Sequence, residues 1–307
     1  MSFIAGAASA NVDLLYRNMP RLPEPGEEIY TDEFSLQLGG GLPATLINLG
    51  RLGVPAKIAT ELGSDLFSRF AAEEFEKNGV SPLNLYHGEK IPVNITSAVI
   101  LPDDRSFISY GKGDLEADDG AKEAFYEMAR GAKICLMNSL AFTDVYRRLR
   151  NEGTVTVLDM GWDDELGFDK YGELLEIADY YTPNRIEALK LMGCGDPFDA
   201  ARALKKHFEK VIVKVDKDGC IGIDGDEEFF VKSVDEFKRV DSTGAGDAFL
   251  AGFCYGLYHD APLRACIEFG NITGGKAVTK VGALSGFVTE PELLSIRARY
   301  YGAEGTA

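Results

Sequence analysis

Five short apolar runs rich in β-branched residues alternate with helical segments, and this rhythm limits the fold more than any other feature. The runs are Phe3 to Ala7, Ala56 to Thr60, Lys133 to Met137, Thr154 to Asp159 and Val211 to Val215. Between most of them lie segments whose apolar residues recur at i, i+3 and i+4: Leu66 to Asn78, Ala121 to Arg130, Leu140 to Glu152 and Pro197 to Glu209. Strands of this kind are buried on both faces, and joining them in parallel needs a crossover helix. The pattern therefore predicts right-handed βαβ units, an α/β class and a mainly parallel sheet with helices on both faces. At 307 residues the length alone leans towards two domains. No Pro-, Gly- or Ser-rich linker, low-complexity tract or internal repeat divides the chain, so a single domain over residues 1–307 is expected.

Two stretches break the rhythm. Glu27 to Leu38 and Val93 to Tyr110 show partial period-2 alternation, and the second contains an Asp103-Asp104 turn between strand-like halves. They predict antiparallel strands outside the main sheet, a small lid built from about residues 11–38 and 93–112.

Charge and cysteine usage exclude several classes. A net charge of −17 repels polyanions, so neither nucleic acid nor an anionic membrane surface is an expected partner. Cys135, Cys194, Cys220, Cys254 and Cys266 are widely spaced, and the three histidines never stand at i, i+4 to one another, which argues against a His/Cys metal site. The cysteines suit buried positions in a reducing compartment. Neither a signal-like N-terminus nor a run of 18 apolar residues is present, and the expected location is the cytoplasm.

The run Asp241-Ser-Thr-Gly-Ala-Gly-Asp247 carries the most chemistry. Leu250, Phe253, Cys254 and Leu257 follow it on one helical face, so Gly244, Ala245 and Gly246 fall at a helix mouth, where free N–H groups and the helix dipole favour phosphate. Asp247 in the first turn suits proton abstraction from an attacking hydroxyl better than binding of an anion. Taken alone, the run could equally be a tight turn with an N-terminal carboxylate. Gly39-Gly40-Gly41-Leu-Pro43 precedes an amphipathic segment through Leu46, Ile47, Leu49 and Leu52, and lets a small polar ligand approach the backbone. Asp13 follows the first strand, where it could accept hydrogen bonds from sugar hydroxyls or simply make a turn. A P-loop near-match, Gly270 to Lys276, has Ala277 where Ser or Thr should hold magnesium. A dinucleotide fingerprint at Gly244-Ala-Gly246 fails at Phe249.

The glycine-rich run ending in Arg51-Leu-Gly53, and the later Asp241 to Asp247 motif, resemble the ribokinase-like, or PfkB, family of carbohydrate kinases, in that order and over nearly the whole chain. The resemblance implies a three-layer α/β/α fold with an antiparallel β lid. It implies transfer of a phosphoryl group from ATP, with Asp247 as base and Gly244, Ala245 and Gly246 as the anion hole. Asp13 and the Gly39, Gly40, Gly41 loop match the substrate site. Asn184 and Glu187 match an N-x-x-E motif that organises Mg²⁺, Glu187 acting through water, while on local grounds alone the i, i+3 pair reads equally as a helix cap. Lys214, Gly219, Thr243, Asn271 and Gly282 match the surroundings of the nucleotide. Asp241 is a candidate ligand for a monovalent cation such as K⁺, and in many relatives the lid pairs subunits, which makes a homodimer a candidate assembly.

Three positions depart from the family pattern. Ala44 stands where an Asn usually contacts the sugar, the segment after Asp159 lacks the common Asn and Arg, and Asp216 replaces a frequent glycine. The expected acceptor is a free sugar or sugar acid, with a nucleoside second, and a non-catalytic sugar or nucleotide sensor is the alternative outside enzyme classes. A sugar phosphate is disfavoured because Gly39 to Ala44 carries no Lys or Arg.

Overall fold

A computed structural model describes residues 2–102, 104–161 and 163–302. The N-terminal half forms β1 (Ile4–Ala7), β2 (Asn11–Arg17), β3 (Glu33–Leu38), α1 (Leu42–Arg51), β4 (Ala56–Thr60), α2 (Leu66–Lys77), β5 (Val80–Asn84), β6 (Asn94–Ile100) and β7 (Arg105–Tyr110). There follow α3 (Asp119–Ala129), β8 (Ile134–Met137), α4 (Thr143–Asn151), β9 (Val155–Leu158), α5 (Phe168–Ile177), β10 (Tyr180–Tyr181), α6 (Arg185–Met192) and α7 (Pro197–Leu204). The chain ends with β11 (Lys210–Lys214), β12 (Gly219–Asp224), β13 (Glu227–Lys232), α8 (Ala245–Tyr258), α9 (Leu263–Ala277) and α10 (Glu290–Tyr301).

The central sheet has the order β10-β9-β8-β1-β4-β5, and all its pairings are parallel. Its strands feed alternate side chains into two apolar layers, as the two-residue period requires. Ile4, Ile134, Leu136 and Val157 join one cluster with residues of α1, α8, α9 and α10. Ala5, Ala7, Cys135, Met137 and Leu158 join the other with residues of α3 to α7. This is the expected three-layer α/β/α arrangement. Helix ends follow local chemistry: Asp65 caps α2 through Phe67 N and Ser68 N, and Pro43 opens α1 behind Gly41 at φ 83°.

The predicted strand at Val211 to Val215 forms, but its partner β12 is antiparallel. Only residues 215–218 separate the two strands, too few for a crossover, so they close as a hairpin. The resulting β11-β12-β13 sheet continues the central one through a parallel bridge between Asn184 and Lys214, where Lys214 N donates to Pro183 O at 2.9 Å. The P-loop near-match lies inside α9, with no turn to cradle a phosphate.

The lid also differs from expectation. Its order is β3-β2-β6-β7, and while β2–β3 and β6–β7 pair antiparallel, β2 and β6 pair parallel, so the lid is a mixed sheet. The long excursion through α1, β4, α2 and β5 returns the chain beside β2 in the same direction. Glu33 to Leu38 is the strand within the first predicted stretch, and Asn11 to Asp13 begins β2, a strand of the lid. Of the predicted Asp103-Asp104 turn, Asp103 lies outside the described residues.

Candidate active site

Most of the candidate residues gather at the carboxyl ends of the parallel strands, under the lid. The mouth of α8 is fixed from behind by α9, which the glycines of α8 allow to come close. A Cβ on Gly256 would lie 2.8 Å from Cys266 Cα, and one on Gly252 would strike Thr273 and Phe269. Gly244 caps the helix at φ 75°, and a Cβ there would lie 2.6 Å from Ala283 Cα. Only glycine fits.

Asp247 projects from the first turn of α8 towards the triple glycine. Its Oδ2 accepts the Gly41 N–H at 2.8 Å, and Thr45 Oγ1 donates to its carbonyl at 3.2 Å. A Cβ on Gly40 would come within 2.9 Å of the same carboxylate oxygen, so that glycine opens the approach to Asp247. Removal from water is the main effect on this carboxyl and pushes it up to about 6; the Gly41 bond opposes the rise, Asp159 adds to it, and Lys214 opposes it. A carboxylate titrating there is poised to take a proton near neutral pH.

Asp13, on β2, is also pushed up to about 6 by burial. A Cβ on Gly39 would lie 2.9 Å from both of its oxygens. With Leu15, Ala98, Ile100, Arg105, Phe107, Asp241, Thr243, Val281 and Gly282, Asp13 lines a cavity of about 110 Å³. One end is lid, and the other is the loop that precedes the anion hole.

Lys214 ends β11 and brings its Nζ to 3.0 Å from Asp159 Oδ2, which also accepts Thr182 Oγ1 at 3.0 Å. The ammonium would stand 3.8 Å from a Cβ on Gly246, beside the helix mouth. Burial pulls the lysine down, yet Asp159, Glu187 and Asp247 together hold it above its ordinary value, so it stays charged. Asn184 and Glu187 form a capping box on α6: Glu187 Oε2 accepts Asn184 N at 2.8 Å and Oε1 accepts Asn184 Nδ2 at 2.7 Å. Burial raises the Glu187 carboxyl, with Lys214 pulling against it.

Asp241 is tied on both oxygens. Oδ1 accepts Thr243 N at 3.0 Å, Thr243 Oγ1 at 2.8 Å and Arg105 Nη1 at 3.3 Å, while Oδ2 accepts Gly282 N at 3.0 Å. Burial works against its charge, but these donors win and hold the carboxyl below its usual range. Ala245 N, one of the three expected anion-hole amides, is engaged with Ser242 O at 3.3 Å.

Three predicted residues stand apart. Ala44 is 0 % exposed and packs in the apolar core of α1, so its methyl offers no surface to a ligand. Gly219 is buried at φ 132°, where a Cβ would strike Val231 O, and Asn271 spends its Nδ2 on Val231 O and Lys232 O at 3.0 and 3.2 Å. Both hold β13 in place. Asp159, Thr182, Asn11 and Asn138 were not among the predicted site residues. Asp159 and Thr182 could have been found by the rule that ligands gather beyond strand ends. Asn11 and Asn138 have buried Oδ1 atoms with no partner among the described residues.

No cluster of three or more His, Cys, Asp or Glu able to grip a metal occurs among the described residues. Nor is any helix among them long and apolar enough to cross a membrane.

Comparison with known proteins identifies the family. The family model "pfkB family carbohydrate kinase" matches residues 4–290. An uncharacterised sugar kinase of Archaeoglobus fulgidus is 29% identical over 251 residues, covering 78% of this chain and 98% of its own. A 5-dehydro-2-deoxygluconokinase of Geobacillus kaustophilus is 25% identical, covering 82% of each chain. The crystal structure of a putative ribokinase II from E. coli, in complex with ATP and Mg²⁺, superposes with a TM-score of 0.78 at 22% identity over 97% of this chain and 100% of that one. With a triple-glycine loop facing an aspartate at a helix mouth, and a family model spanning residues 4–290, the chain belongs to the pfkB family of carbohydrate kinases.

Proposed function

We propose that the protein phosphorylates a hydroxyl of a free sugar or sugar acid with ATP. The observation that carries this reading is the Asp247 carboxylate, raised to about 6 and held against Gly41, with Lys214 beside Gly246. The acceptor lies in the cavity between the lid, whose strand β2 carries Asp13, and the facing loops at Asp241–Thr243 and Gly282. Asp13 accepts hydrogen bonds from its hydroxyls. Bound ATP with its magnesium ion supplies the electrophilic phosphoryl group and neutralises its charge. The N–H groups of Gly246 and its neighbours in the first turn of α8 donate to anionic oxygens there, and Lys214 adds a positive charge at the same point. Asp247 accepts the proton of the attacking hydroxyl.

The donor set fits a magnesium ion held through water and not directly. Both oxygens of Glu187 are occupied by Asn184, and Asp159 is paired with Lys214. A monovalent cation at Asp241 would have to displace Arg105, so the proposed cofactors are ATP and Mg²⁺ without K⁺. The deciding assay incubates purified protein with Mg-ATP and a panel of sugars, sugar acids and nucleosides. Acceptor-dependent ADP release with a free sugar or sugar acid is expected. Preference for a sugar phosphate or a nucleoside would overturn the substrate assignment, and binding without turnover would favour a sensor.

The pH profile gives a second test. Asp247 and Asp13 both titrate near 6 and both are needed ionised, so kcat/KM should fall below about pH 6, with a slope approaching two on a logarithmic plot. An acid limb centred near 4 would contradict the elevated carboxyls.

We also propose that a second copy of the chain covers the outer face of the lid. The alternation that turns Asp13, Leu15 and Phe107 inward turns Leu14, Tyr16, Phe34, Ile108 and Tyr110 outward, and Ile108 is 77% exposed. Sedimentation should give a dimer for the native chain and a monomer for Ile108→Glu. A native monomer at micromolar concentration would refute it.

A further inference from the structure

The lid touches the core where the chemistry begins. From β7, Arg105 donates Nη1 to Thr243 Oγ1 at 2.6 Å and to Asp241 Oδ1 at 3.3 Å, across 138 and 136 residues of sequence respectively. From the opposite edge strand, β3, Gln37 lies so close to Gly282 that a Cβ there would strike its Oε1, which also accepts Ser285 Oγ at 3.2 Å. Asp241 joins these two contacts, because its second oxygen accepts Gly282 N at 3.0 Å. Both outer strands of the lid thus grip one junction, the Asp241–Thr243 loop and the Gly282 turn.

That junction sets the anion hole. Thr243 is followed directly by Gly244, the cap of α8, which packs against Ala283, the residue after Gly282. Asp241 fixes Thr243 through its N–H and hydroxyl, so a shift of Asp241 or Thr243 moves the backbone that begins the helix mouth. Arg105 also lines the cavity that contains Asp13, and its guanidinium lies 5.5 Å from the centre of the Phe107 ring on the inner face of the lid. The same side chain therefore borders the acceptor cavity at one end and holds the anion-hole loop at the other.

We propose that Arg105 is a positioning residue that couples closure of the lid over the acceptor to alignment of the Gly244–Gly246 anion hole. Closed, the lid places the guanidinium on Asp241 and Thr243, which orients the mouth of α8 for phosphoryl transfer. Open, it withdraws that charge and leaves the loop held by Asp241 alone. Such a device confines efficient ATP cleavage to the occupied state, and it works through the loop without touching the reacting atoms.

The inference rests on the phosphotransfer reading above, and the experiment separates the two. Wild type, Arg105→Gln and Arg105→Lys are compared for kcat, KM of the acceptor, KM of ATP and ATP hydrolysis without acceptor. Arg105→Gln should lower kcat by about 10- to 100-fold, with the acceptor KM changed less than about threefold, because a contact that aligns the transition state acts on kcat. The ratio of acceptor-free hydrolysis to transfer should rise at least about tenfold, which a purely structural residue would not cause. Arg105→Lys should recover part of kcat. Because the arginine is half-exposed, the melting temperature of Arg105→Gln should stay within about 3 °C of wild type, so loss of fold cannot explain the result. A kcat within twofold of wild type overturns the proposal. So does a loss confined to acceptor KM, which would make Arg105 a direct substrate contact. Absence of acceptor-dependent turnover in the wild type would instead refute the phosphotransfer reading itself.

Discussion

Asp247→Asn should lower turnover by about two to four orders of magnitude while ATP binds almost as before, the scale expected for a lost general base. The substitution keeps the shape of the side chain, and the amide oxygen can still accept the Gly41 N–H that the carboxylate now receives at 2.8 Å. What disappears is the proton acceptor. Stability should move the other way. The Asp247 carboxyl titrates near 6 in the folded chain against 3.8 ordinarily, so the folded state holds its proton more tightly than the unfolded chain does. Ionisation therefore costs stability as pH rises through 4 to 6, and the cost stays constant above. Removing the charge should return on the order of 2 kcal/mol at pH 7, with allowance for the open side of the group, and nothing below about pH 4. Single-turnover kinetics, ATP titration and unfolding at the two pH values check the three parts. A variant with near-native turnover would remove Asp247 from the chemistry.

Lys214→Met should be damaging in both activity and stability. The side chain is 13 % exposed, and Asp159, Glu187 and Asp247 all raise its pKa. Methionine fills a similar volume without charge, leaving Asp159 and Glu187 partly buried without their cation. Breaking a buried pair in this way costs about 3–5 kcal/mol. The loss should shrink as pH falls, because burial raises the Glu187 carboxyl, which therefore binds its proton more tightly in the folded state and regains neutrality there. Turnover should drop by about 10²- to 10³-fold, the scale for removing one preorganised group facing developing charge. Chemical denaturation at pH 5 and 8, with kinetics at neutral pH, tests this. Equal destabilisation at both pH values would mean that packing, and not charge, accounts for Lys214.

Much of the architecture was legible because buried parallel strands and amphipathic helices write their periods into the chain. Ile4–Ala7, Ala56–Thr60 and Ile134–Met137 needed only local pattern. The lid was partly legible: alternation marked its strands, but the parallel pairing of β2 with β6 depends on residues about 80 apart, which no local period encodes. Ala44 illustrates the opposite error. Counting along a motif put it beside the ligand, whereas the rotation of α1 turns its methyl into the core.

The sequence by itself determined the α/β class, the helix mouth at Gly244–Gly246 and the carboxylate that follows it, because glycine conformation, helix ends and strand periods are local properties. Only the tertiary structure decided which charges meet. Asp159, Lys214, Glu187 and Asp247 come from four separate segments, and Arg105 reaches Asp241 across 136 residues. These pairings, and the pKa shifts of Lys214, Glu187 and Asp247, arise from distance and burial, quantities that exist only once the sheet has brought its strand ends to one edge and the lid has folded over them.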